Sequence, residues 1–156
     1  MATQKWIRRD LESRGIRFME LHHRDTPTSQ MMAQQEHVSG HRVAKVVVAM
    51  VDGQPVELVL PASRHVDLEL LRELFQGREV RLASEVEIER HFGDCEVGAI
   101  PPLRHWQGID VVMDRSMDVE GDILFPAGTH TDAIRLRFRD WYDLVTPQVA
   151  AFATAP

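Results

Sequence analysis

The sequence predicts a mixed α+β domain built on a strongly curved sheet of about seven strands, flanked by about five helices. Three observations carry this. Residues 43–51 form an unbroken β-branched run, the pattern of a strand buried on both faces. Strand and helix signals alternate along the chain without a strict β-α-β rhythm. No repeat, low-complexity tract or linker divides the 156 residues, so one domain spanning 1–156 is expected.

The elements follow in order. About Thr3 to Ser13 is helical, with Trp6, Ile7 and Leu11 on one face and Gly15 as its stop. Ile16 to Leu21 alternates as a short strand. Thr28 or Ser29 caps a helix to about Glu36, rich in Met and Gln. The run Val43 to Val51, the turn Asp52-Gly53 and the segment Val56 to Leu60 form a hairpin, ended by Pro61. Asp67 to Phe75 reads as a helix with Leu68, Leu71, Leu74 and Phe75 inward. Val80 to Ala83 is a strand. Ser84 and Glu87 have capping-box spacing for a helix to about Phe92. Residues 98–102 contain two prolines and can continue neither helix nor central strand. Ile109 to Asp114, Asp122 to Pro126 and Ala133 to Phe138 are three more strands. Asp140 caps a last helix through Val145, with a restart at Thr146-Pro147, and Ala153 to Pro156 should fray.

Composition excludes several classes. The chain is 44% hydrophobic and 27% charged, with a formal net charge of −6, which argues against coating nucleic acid by bulk attraction. No apolar stretch approaches the roughly 18 residues that span a bilayer, and the N-terminus lacks signal-peptide order. Cys95 is the only cysteine, so no internal disulfide can form and a reducing cytoplasm is expected.

Three places can carry chemistry. Basic residues number 18, of which only Lys5 and Lys45 are lysine, and Lys45 interrupts the apolar strand. An amine there either caps a strand end and snorkels to water or meets a phosphate or developing oxyanion. The loop Gly98-Ala99-Ile100-Pro101-Pro102 either stops edge pairing or aims amides at a carbonyl or phosphate oxygen. The turn Ala127-Gly128-Thr129-His130 either presents a surface histidine or carries His130 over a sheet end. Cys95 lies between Asp94 and Glu96, which disfavour a thiolate. His37 and His41 have metal-like spacing, but Gly40 breaks any helix that would align them. No metal site and no cofactor are expected.

Five stretches in register resemble the YbaK/prolyl-tRNA synthetase-associated family of aminoacyl-tRNA editing domains. They are residues 41–48, 60–68, 81–85, 96–103 and 127–130, and the likeness covers about Gly15 to Val145. The resemblance implies a curved, barrel-like sheet flanked by helices. It implies a free-standing hydrolase that cleaves the ester of a mischarged tRNA carrying alanine, cysteine or serine. Lys45 would be the functional lysine, with Gly98, Ala99, Ile100 and Pro101 holding the substrate and Gly128, Thr129 and His130 at the second bend. The loop lacks the hydroxyl that commonly precedes the family's proline, which bears on the amino acid accepted. The implied partners are the 3′ end of aminoacylated tRNA and an aminoacyl-tRNA synthetase, with no membrane. Two other classes remain open: a non-catalytic module binding aminoacyl-adenosine or the tRNA end, and a structural interaction domain.

Overall fold

A computed structural model describes residues 5–25, 31–33, 39–117 and 120–155. Helix α1 (Lys5–Ser13) leads into β1 (Phe18–His22). Residues 31–33 are helical, and the rest of the helix expected between Thr28 and Glu36 lies outside the described residues. The hairpin follows as β2 (Ala44–Val51) and β3 (Gln54–Pro61), paired in full antiparallel register. Its turn residues Asp52 and Gly53 both have positive φ, 49° and 78°, the geometry that matches the twist of tight hairpins.

Next come β4 (His65–Val66), α2 (Leu68–Leu74), β5 (Val80–Leu82) and α3 (Glu85–His91). Asp67 caps α2 by accepting from the amides of Glu69 and Leu70. Ser84 and Glu87 close the expected capping box at α3. The chain then forms β6 (Asp110–Asp114), β7 (Asp122–Pro126), β8 (Asp132–Arg137), α4 (Phe138–Val145), β9 (Gln148–Ala150) and β10 (Ala153–Thr154).

The mixed α/β class holds, but the sheet does not close into one barrel. Among the described residues ten strands divide into three sheets, ordered β1-β8-β7, β5-β2-β3-β6-β9 and β10-β4. The five-stranded sheet is mixed, with β3–β6 and β6–β9 parallel and the rest antiparallel. A single parallel bridge, Val43 to Leu124, links β2 to β7 and so ties the two larger sheets together.

The main core lies between those sheets. It takes Ala44 and Val48 from β2, Val111 and Met113 from β6, Ile123 and Phe125 from β7, and Trp141 from α4. A second core covers the other face of the five-stranded sheet, with Leu58 and Leu60 packed against Leu71 of α2 and against Phe152. Both faces of β2 and β3 are therefore covered, which is why residues 43–51 read as a continuous apolar run.

Several local expectations change. Leu68 is partly exposed rather than inward. Helix α4 starts at Phe138, with Asp140 in its first turn, where a carboxylate suits the amide-rich helix end. No helix restarts at Thr146-Pro147: Thr146 takes a left-handed conformation (φ 45°), and the chain enters β9, parallel to β6. Residues 153–154 do not fray, because the Asp114 carboxylate accepts from the amides of Phe152 (2.8 Å) and Ala153 (2.9 Å) and holds β10 against β4.

Candidate functional site

Lys45 sits on β2 opposite Leu60. Two residues before it, Val43 forms an isolated parallel bridge to Leu124 of β7. Strand alternation puts Lys45 on the same side as Val43, where Met32, Ala33, Ala62, Leu124 and Ala133 form a small apolar cluster. Its Nζ lies 3.5 Å from the Ala62 carbonyl, at the limit of a hydrogen bond. The residue is half-buried, and burial lowers the amine's pKa from its usual 10.5.

The loop after α3 and the β7–β8 turn are stitched together by backbone hydrogen bonds. The Gly128 amide donates to the Ala99 carbonyl (2.9 Å), and the Glu96 amide donates to the Gly128 carbonyl (2.8 Å). Gly98 (φ 87°) and Gly128 (φ 94°) both adopt backbone that a side chain resists, so each bend needs its glycine. Ala99, Ile100, Pro101 and Pro102 are buried, and the Trp141 indole donates to the Pro102 carbonyl at 2.7 Å. The sequence suggests three loop amides aimed at substrate, but the Ala99 amide is committed to the Glu96 carbonyl (3.0 Å). Among the described residues, the amides of Gly98 and Ile100 meet no acceptor.

Thr129 is buried and donates to Asp132 Oδ2 at 2.5 Å, which sets the turn. His130 is half-buried, and both ring nitrogens have partners. Nε2 lies 2.6 Å from the Val97 carbonyl and therefore donates to it; Nδ1 faces Glu96 Oε2 at 3.1 Å and Asp25 Oδ1 at 3.6 Å. The ring thus ties the turn to the start of the glycine–proline loop. The Gly98 loop and the Gly128 turn lie together at one end of the β7–β8 hairpin. A cavity of about 870 Å³ lined by Arg115, Arg137, Arg139 and Tyr142 lies at the hairpin's other end, near Gly121.

Sequence reasoning overlooked a buried polar chain behind the loop. Glu57, on β3, is fully buried, and its Oε1 lies 3.1 Å from His105 Nδ1. His105 Nε2 in turn lies 3.5 Å from Cys95 Sγ. Burial raises the Glu57 carboxyl, with His105 pulling the other way, and burial together with Asp94 raises the Cys95 thiol. Cys95 is therefore a poor thiolate nucleophile, as its acidic neighbours suggest. The overlooked signal was available: Glu57 interrupts apolar β3 just as Lys45 interrupts β2.

Comparison with known proteins gives the fold and the family. Among the described residues no helix is long and apolar enough to cross a membrane. A proline–tRNA ligase from Gloeobacter violaceus is 27% identical over 142 residues, covering 85% of this chain. The chain spans only 24% of that relative's length. A solved structure described as a hypothetical protein superposes with a TM-score of 0.85 at 22% identity, covering 95% of this chain and 99% of that one. Another, described as a candidate trans-editing enzyme for prolyl tRNA synthetase, has a TM-score of 0.80 at 21% identity and covers 96% and 95% of the two chains. These two likenesses establish the fold. The model of the aminoacyl-tRNA editing domain matches residues 23–144, a span that holds Lys45, both glycine bends and His130, and the chain belongs to that family.

Proposed function

We propose that this chain is an aminoacyl-tRNA deacylase that hydrolyses the ester of a mischarged tRNA carrying a small residue such as alanine, cysteine or serine. The reading is supported by the half-buried Lys45 amine on β2, two residues from the Val43–Leu124 bridge to β7, and by two glycine bends hydrogen-bonded to each other beyond β7, all within the span that matches the editing family. An aminoacyl ester is already activated, so positioning and charge stabilisation suffice without a protein nucleophile. In this mechanism Lys45 holds the terminal adenosine's phosphate or the developing oxyanion. The amides of Gly98 and Ile100 hold the aminoacyl carbonyl, with Pro101 fixing the loop's course. The second bend, Gly128, Thr129 and His130, supports that loop and borders the ribose. A water activated by the substrate's own ribose hydroxyl attacks.

Selection is by size, in a pocket that excludes larger residues; a single methylene separates substrates by only about 10- to 200-fold. The family and the ligase relative support a tRNA partner and a synthetase that supplies it, and the cytoplasm is the compartment this implies. The test is deacylation of tRNAs charged with alanine, cysteine, serine and threonine. Release of the small residues above the spontaneous rate supports the reading. Tight binding of the charged end with every ester intact would instead identify a binding module.

A further inference from the structure

The buried chain behind the loop has the layout of a metal site. Cys95 Sγ and His105 Nε2 lie 3.5 Å apart. An ion bound at about 2.3 Å from sulfur and about 2.05 Å from nitrogen, at a tetrahedral angle, separates those atoms by about 3.6 Å. An Asp94 carboxylate oxygen completes a set in which all three donor atoms lie within 4.8 Å of one another. The Trp6 indole donates to Asp94 Oδ2 at 2.6 Å and so orients the carboxylate, and its ring packs 4.8 Å from His105.

The imidazole is oriented for the task. His105 Nδ1 faces Glu57 Oε1 at 3.1 Å and the Leu103 carbonyl at 3.2 Å, so Nδ1 carries the hydrogen and the Nε2 lone pair points at Cys95. Carboxylate, histidine and metal in line is the arrangement by which proteins fix a ligating ring. Glu57 is fully buried, and among the described residues its Oε2 has no hydrogen-bond partner. A cation on the far side of the ring supplies positive charge to that carboxylate.

We propose that Asp94, Cys95 and His105 bind one divalent zinc-type ion, with Glu57 as the positioning residue. On binding, the Cys95 S–H bond breaks, a sulfur–metal bond forms and the proton leaves to solvent. The aspartate and thiolate then balance the ion's two charges, and a water takes the fourth position. Cys95 and His105 lie on either side of the loop 98–102, so the ion clamps the two feet of that loop. Metal binding at this cluster does not depend on deacylase activity.

The test uses the full chain, stripped of metal and titrated with Co²⁺ and Zn²⁺. One equivalent of Co²⁺ should give a near-ultraviolet sulfur-to-cobalt band, and Zn²⁺ should displace it. Because Cys95 is the only cysteine, Zn²⁺ should also slow its alkylation by a thiol reagent. Cys95→Ala should abolish the band and the stoichiometric site. Glu57→Gln should keep the stoichiometry and weaken affinity by about 10- to 100-fold. Absence of the band in the wild type, or metal binding unchanged in Cys95→Ala, would overturn the proposal, the latter by assigning the metal to other histidines.

Discussion

Replacing Lys45 by methionine separates a functional amine from a structural one. The side chain keeps its length and loses its charge. Among the described residues the amine makes one hydrogen bond, 3.5 Å from the Ala62 carbonyl, while half-buried. Such a bond contributes at most about 1 kcal/mol, and removing a partly desolvated charge offsets some of that. Lys45→Met should therefore change stability by less than about 1 kcal/mol, a shift of roughly 2–4 °C in Tm for a domain this size. Losing a preorganised charge donor at a developing oxyanion costs about 10²- to 10³-fold in rate, or about 2.7–4 kcal/mol. Steady-state deacylation of a substrate tRNA and thermal unfolding, measured on the same preparation, give both numbers. A kcat/KM within threefold of wild type would remove Lys45 from the mechanism. A large loss of Tm alongside lost activity would mark it as a packing residue.

The pH profile should follow the same group. The active lysine is protonated, so enzyme-dependent deacylation should be lost as pH rises through a pKa below 10.5, and Lys45→Arg should move that loss upward. The unfolded chain holds this proton to higher pH than the folded one, so stability itself should rise with pH across that window, readable by denaturant unfolding at stepped pH. Asp114→Ala orphans the amides of Phe152, Ala153 and Ser116, and should cost about 2–4 kcal/mol in chemical denaturation and release residues 152–154 to rapid hydrogen exchange. Burial raises the Asp114 carboxyl, but the donors from Ser116, Phe152 and Ala153 outweigh it and hold the pKa below 3.8. Its stabilisation should thus be complete above that pH and fade as pH falls below it. Trp141→Phe leaves the buried Pro102 carbonyl without its 2.7 Å donor; about 1–3 kcal/mol of stability should be lost, and a weaker kcat/KM would follow from a loosened loop.

Local pattern is legible in the sequence where chain neighbours settle the outcome. The hairpin turn at Asp52-Gly53 needs positive φ, and the Ser84–Glu87 box closes within one helical turn. Elsewhere a distant partner decides. Thr146-Pro147 looks like a helix start, yet β6 recruits residues 148–150 as a strand. The C-terminal residues look frayed, yet a carboxylate 38 positions upstream captures the Phe152 amide.

The sequence by itself determined the strand that carries Lys45, the rigid loop from Gly98 to Pro102 and the bend at Gly128. Each is specified by backbone preferences and apolar period acting over a few residues. Only the tertiary structure decided that Val43, beside the strand of Lys45, bridges to Leu124, that His130 is tied to Val97 and Glu96, and that Glu57 and His105 meet. Those contacts join residues dozens of positions apart, and a spacing pattern carries no information about which face a remote segment will cover. They depend on how two sheets pack across one core, where a single buried charge must find its partner among residues the chain brings together only on folding.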